Sequence, residues 1–164
     1  GTYPLPEAQK DRFLLRVEMD YPGEEDEKQL AVQSLGRETP ENILESDAVQ
    51  SVLTSEGIAR VQEALDTITL KEELVSYVVE LVRASRNTDC IQVGAGPRAT
   101  KALLLSSRAF AAIEGRDYVT PDDIRLMAYP VLSHRIILRP EYEIEGMTIG
   151  EAVNRLIESV AVPR

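Results

Sequence analysis

Apolar residues recur at helical spacing over most of this chain. In KEELVSYVVELVRASRN, Leu74, Tyr77, Val78, Leu81 and Val82 fall on one face at steps of three and four, the signature of an amphipathic helix. Thr69 and Glu72 have the spacing of a capping box for it. EGIARVQEALDTI reads as another helix, opened by Thr54 or Ser55. PRATKALLLSSRAFAAI carries Ala102, Leu103, Leu105, Ala109, Phe110 and Ile113 on more than one side, as a helix at the centre of a bundle would, with Pro97 in its first turn and Gly115 at its end. Thr120, Pro121 and Asp123 start DDIRLMAYPVLSHRII, in which Pro130 predicts a kink or break, and Thr148 with Glu151 caps GEAVNRLIESV. The expected fold class is therefore mainly α, a bundle of about five helices.

The first residues follow other rules. Pro6 can open a short helix running through Ala8 and Lys10 to Arg12, after which FLLRVEM alternates like a strand. A lone strand is unstable in water, so this one calls for a sheet whose other members lie elsewhere. EEDEKQLAVQSLG places four acids before Lys28 and ends at Gly36, the order that a helix dipole favours. Its acidic first turn reads as a solvated face rather than a metal site. RETPENILESDAVQSV lacks periodicity and reads as a linker. The expected division is a remnant of another domain over 1–36, a linker over 37–53 and the helical domain over 54–164.

Charge narrows the partners. Lys and Arg number 18 against 28 Asp and Glu in 164 residues, a formal charge of -10, which argues against nucleic acid and anionic membrane surfaces. Cys90 is the one cysteine, so a disulfide framework is excluded and a reducing compartment suits the chain. No apolar run reaches the ~20 residues that cross a bilayer. The chain opens on Gly1 in a Pro-rich phrase without a charged-then-apolar leader, and is expected to be a soluble, cytoplasmic fragment. His134 is the single histidine and has no second ligand at metal spacing, so zinc is unsupported. The carboxylates of RPEYEIEG read as a solvated loop.

One cation is out of place. Arg98 falls in the first turn of the PRATKALL helix, where a positive charge opposes the macrodipole at a cost of about 0.3–1 kcal/mol when exposed. Something negative belongs near it, either a carboxylate of the bundle or an anionic ligand. Arg12, at the end of a short helix and next to Asp11, is well placed for a structural role.

GTYPLPEAQKDRFLLRV, GAGPRATKALL, GRDYVTPDDI, LSHRIIL and EGMT occur in an order and spacing that resemble the C-terminal half of the MoxR family of AAA+ ATPases. The likeness covers essentially the whole chain. It implies the last piece of a P-loop α/β core, which supplies the missing sheet, followed by the helical lid. It implies that Arg98, after Gly96 and Pro97, is the sensor-2 arginine directed at the γ-phosphate of ATP bound by the same chain. It further implies that Arg12 is an arginine finger acting on the nucleotide of the neighbouring subunit in a ring, expected to be hexameric. ATP and magnesium are the implied cofactors of the intact protein, which would couple hydrolysis to chaperone-like remodelling or maturation of client proteins. The sequence contains no G-x-x-x-x-G-K-[ST], and VEMDYP lacks the paired acids of a magnesium-holding strand. These residues alone are thus expected neither to hold nor to hydrolyse ATP. The alternatives are a non-enzymatic helical adaptor and a motor subunit of the magnesium-chelatase type.

Overall fold

The computed structural model describes residues 3–36, 42, 44 and 49–163. Among them eight helices occur, α1 (Glu7–Lys10), α2 (Glu24–Ser34), α3 (Ser55–Asp66), α4 (Glu72–Ala84), α5 (Pro97–Ile113), α6 (Pro121–Leu132), α7 (Pro140–Ile144) and α8 (Ile149–Ser159), with two short strands, β1 (Ile91–Val93) and β2 (Ile137–Leu138). The chain forms two compact units: residues up to Val17 together with Glu63 onward, and Glu18–Gln62. The first 17 residues thus go with the helical body. The linker expected over 37–53 lies largely outside the described residues.

In the helical body α5 packs against α4 and α6, and α8 closes the circuit by packing against the same two helices. The predicted face of α4, Leu74, Tyr77, Val78, Leu81 and Val82, is buried throughout. It meets Leu103 of α5, Ile124 and Leu132 of α6 and Leu156 of α8 in one apolar cluster. Burying a side chain of this size contributes about 1.5–3 kcal/mol, so the cluster supplies the main driving force for this body. The buried face of α5 is mostly small, Ala99, Ala102, Ser106, Ser107 and Ala111 around Leu103, which lets its neighbours approach closely. Leu105 and Ile113, expected in the core, are exposed. The helix has neighbours on two sides and is not encircled.

Local signals hold where their partners are local. Thr120 with Asp123 and Thr148 with Glu151 form reciprocal capping boxes on α6 and α8. Thr54 caps α3 by accepting from the Gly57 N–H. At Gly115, φ +72, the N–H groups of Gly115 and Arg116 return to the carbonyls of Ala112 and Ala111, the double closure that ends α5. Thr69 caps nothing. Its main chain is taken by the segment after α5, donating to Asp117 O at 2.7 Å and accepting from Val119 N–H at 3.0 Å, and α4 begins with Lys71 as an unassisted cap. Pro130 lies inside α6, which runs on to Leu132. RPEYEIEG is the short helix α7 rather than a loop.

No strand forms over Phe13–Met19. The sheet among the described residues is the antiparallel pair β1 and β2, with Ile91 opposite Leu138. Phe13 and Leu14 turn their carbonyls to a side chain of the helical body, and the Arg16 N–H donates to Pro130 O at 2.8 Å. Those three backbone groups, satisfied in this way, are not free to join a ladder.

Candidate functional site

The loop that brings Arg98 into place is fastened to the end of α4. The Ser85 hydroxyl accepts from the Ala95 N–H at 3.0 Å and Arg86 Nε donates to Ala95 O at 2.9 Å. Gly94 is required there: a Cβ would stand 2.6 Å from Ser85 O and 2.7 Å from the Arg86 main chain. Gly96, by contrast, faces open space and serves as the N-cap of α5, with Pro97 in the first turn. No side chain caps this end and no acid stands in its first turn, so a 17-residue helix directs an uncompensated positive end outward.

Arg98 lies on that end with its side chain 58% exposed, and the carboxylate nearest it is Asp11, with 3.7 Å between Nη1 and Oδ2. That separation is beyond a hydrogen bond, and a pair so exposed contributes about 0–1 kcal/mol. Asp11 has a firmer partner. Arg135 Nε donates to its Oδ1 at 3.2 Å, and the Arg135 side chain is only 3% exposed. The negative group demanded by the sequence therefore exists, but it belongs first to Arg135 and leaves Arg98 available.

Arg12 follows Asp11 in the turn after α1, is exposed, and has no ion pair among the described residues. It shares one cleft of about 350 Å3 with Arg98, Lys101, Arg135 and Asp11, floored by Leu14 and Leu105. Four cations against one carboxylate make this a positive recess on a chain of net charge -10. Guanidinium groups deliver paired N–H donors to phosphate or carboxylate oxygens, so the recess suits a polyanion. A second cleft, of about 490 Å3, shares Asp11 and Arg135 and is lined further by Lys10, Arg16, Gly96 and His134. The structure thus brings Arg12 and Arg98 together, puts Gly96 in the adjoining recess and leaves Pro97 exposed outside both.

Lys101, Arg135 and Asp11 were not singled out by sequence reasoning as site residues. Lys101 could have been, since it is three residues beyond Arg98 on the same helix face. Arg135 carried a fainter signal, a charge between the apolar pairs of the phrase VLSHRII. His134 is half-buried, with Nε2 3.1 Å from Phe13 O, and Cys90 is a buried free thiol. Neither has the partners of a metal site or a nucleophile. No cluster of three or more His, Cys, Asp or Glu that could hold a cation occurs among the described residues, and the cleft's charge opposes one. Magnesium does not fit here.

Residues 83–156 match the AAA lid domain. The chain is 36% identical over 163 residues to YeaC, a Bacillus subtilis protein of uncharacterised function, covering 99% of this chain and 49% of that one. It is 31% identical to the chaperone MoxR1 of Mycobacterium tuberculosis, with 100% and 44% covered, and 33% identical to the MoxR protein of Paracoccus denitrificans, with 87% and 46% covered. The structure of a candidate ATPase from Cytophaga hutchinsonii superposes with a TM-score of 0.84 at 31% identity, covering 100% of this chain and 51% of the other. The chain spans about half the length of these relatives.

Proposed function

For a chain that carries an AAA lid domain and has MoxR proteins as its homologues, we propose the role of the lid and arginine-finger portion of a ring-forming ATPase, probed through Arg12 and Arg98. The intact enzyme would couple ATP hydrolysis to chaperone-like remodelling of client proteins. The observation that carries this reading is the shared cleft: both exposed guanidinium groups border one positive recess at the head of α5. The γ-phosphate of ATP is the ligand such a recess favours, and a P-loop absent from this sequence would cradle the rest of the nucleotide. The apolar side chains of Tyr3, Phe13 and Val17, exposed on the same body, suit a surface that adjoins a further domain.

The resemblance assigns Arg98 to the nucleotide of its own chain and Arg12 to that of a neighbour. One recess favours one nucleotide for both. An arginine that stabilises charge on a transferring phosphoryl group contributes about 10³- to 10⁵-fold in rate. Arg12→Ala in the full-length protein is therefore expected to lower ATP turnover by about 10³-fold or more, and Arg98→Ala to lower it as well. Doping Arg12→Ala subunits into wild-type rings then reveals whose nucleotide is touched. A fall steeper than the mutant fraction means action across the subunit boundary. Unchanged turnover in both variants contradicts the proposal. The 164 residues alone are expected to give no turnover.

A further inference from the structure

We propose that Arg135 is the positioning residue of the Arg12 turn: a buried guanidinium around which residues 11–14 are wound, so that the direction of Arg12 is set from the far end of α6. This rests on the role proposed for Arg12.

A guanidinium has five N–H donors in a rigid fork, and Arg135 uses all of them. Nε donates to Asp11 Oδ1 at 3.2 Å, Nη1 to Leu14 O at 3.2 Å and to Val131 O, and Nη2 to Asp11 O at 3.3 Å and to Phe13 O. Four of the five acceptors belong to residues 11, 13 and 14, which flank Arg12 on both sides. The fifth is on Val131, in the last turn of α6. The turn therefore closes around a cation that is itself anchored one helical turn back.

A helix would satisfy these carbonyls with its own N–H groups, but here α1 stops at Lys10 and no strand takes over. Without Arg135, the main-chain carbonyls of Asp11 and Leu14 and a half-buried carboxylate lose their donor at once, and Phe13 O keeps only His134 Nε2. Two further straps, Arg16 N–H to Pro130 O and His134 Nε2 to Phe13 O, tie the same segment to the same corner but touch neither Asp11 nor Leu14. Asp11 also faces Arg98, so the buried cation fixes the spacing between the two exposed ones. Lysine keeps the charge with three donors on one point and cannot reproduce a fork that reaches five acceptors.

The test compares Arg135→Lys and Arg135→Met with Arg12→Ala in the full-length protein, by hydrogen exchange and by steady-state ATP turnover. Loss of one or two charge-assisted bonds implies that amides of residues 11–16 exchange about 10- to 100-fold faster in Arg135→Lys, while α4 and α8 keep their protection. The kcat is expected to fall toward that of Arg12→Ala with KM for ATP little changed, and Arg12→Ala/Arg135→Lys to be no slower than Arg12→Ala alone. Arg135→Met is expected to show the larger effect on both readouts. Residues 11–16 as protected as in wild type, or protection lost evenly across the helical body, overturns the positioning role. Turnover lowered by Arg12→Ala but untouched by Arg135→Lys overturns it too. Insensitivity of turnover to Arg12→Ala counts against the proposed function instead, and exchange then decides the positioning role by itself.

Discussion

Asp11 accepts from buried Arg135 at 3.2 Å and stands 3.7 Å from half-exposed Arg98, so one carboxylate serves a structural cation and a candidate functional one. Beside this pair His134 is set to respond to pH. Burial, and after it the charge of Arg135, hold its imidazole below the ordinary value, against the pull of the Phe13 carbonyl and Asp11. A depressed folded-state pKa means that the unfolded chain binds more protons once pH drops below the ordinary imidazole value of about 6.5. Stability is thus full above that pH and declines as pH falls through it. A second decline belongs to the carboxylate range. Burial alone would raise Asp123, but Arg116 at 2.6 Å and the N–H and hydroxyl of Thr120 outweigh it, and Thr148 lowers Glu151. Urea midpoints measured between about pH 8 and pH 5 are expected to fall on the acid side, less steeply in His134→Gln. A midpoint that rises toward pH 5 would contradict this. At this scale the sequence exposed Arg98 and Arg12 but not their surroundings. Asp11 is beside Arg12 in sequence, yet its hydrogen-bond partner is 124 residues away, a separation that no local pattern encodes.

Elements were legible in proportion to how local their determinants are. The apolar stripe of α4 and the two capping boxes need only residues within one or two turns, and all three form as read. Thr69 had the right spacing for a third box, but the segment 117–119 claims its backbone first. FLLRVEM alternates like a strand, but the carbonyls of its first two residues, Phe13 and Leu14, are taken by Arg135. The loop before α5 is the element on which the site depends, because it fixes where the helix and Arg98 begin. Its glycine at 94 lies against the Ser85–Arg86 backbone, a neighbour that no local pattern reveals. Gly94→Ala forces that contact apart, and overpacking of this kind typically costs about 1–3 kcal/mol. The expected result is a lower urea midpoint with an unchanged slope, together with faster exchange at Ala95. A variant as stable as wild type would show that the loop adapts.

For the molecule as a whole, an acidic chain gathers Arg12, Arg98, Lys101 and Arg135 around one recess. It does so on a helical body of which residues 83–156 match the AAA lid domain, in a chain about half as long as its relatives. Composition pointed away from nucleic acid and anionic membranes, but net charge averages over a surface while a site depends on a few side chains. The central claim is that Arg12 and Arg98 act on the same phosphate group. A double-mutant cycle on ATP turnover in the full-length protein, with Arg12→Ala, Arg98→Ala and the double variant, tests it most directly. Residues that share one partner are expected to couple by about 0.5–3 kcal/mol, so the double variant loses less than the product of the single losses. Losses that multiply, with coupling below about 0.5 kcal/mol, would mean that the two guanidinium groups serve separate sites.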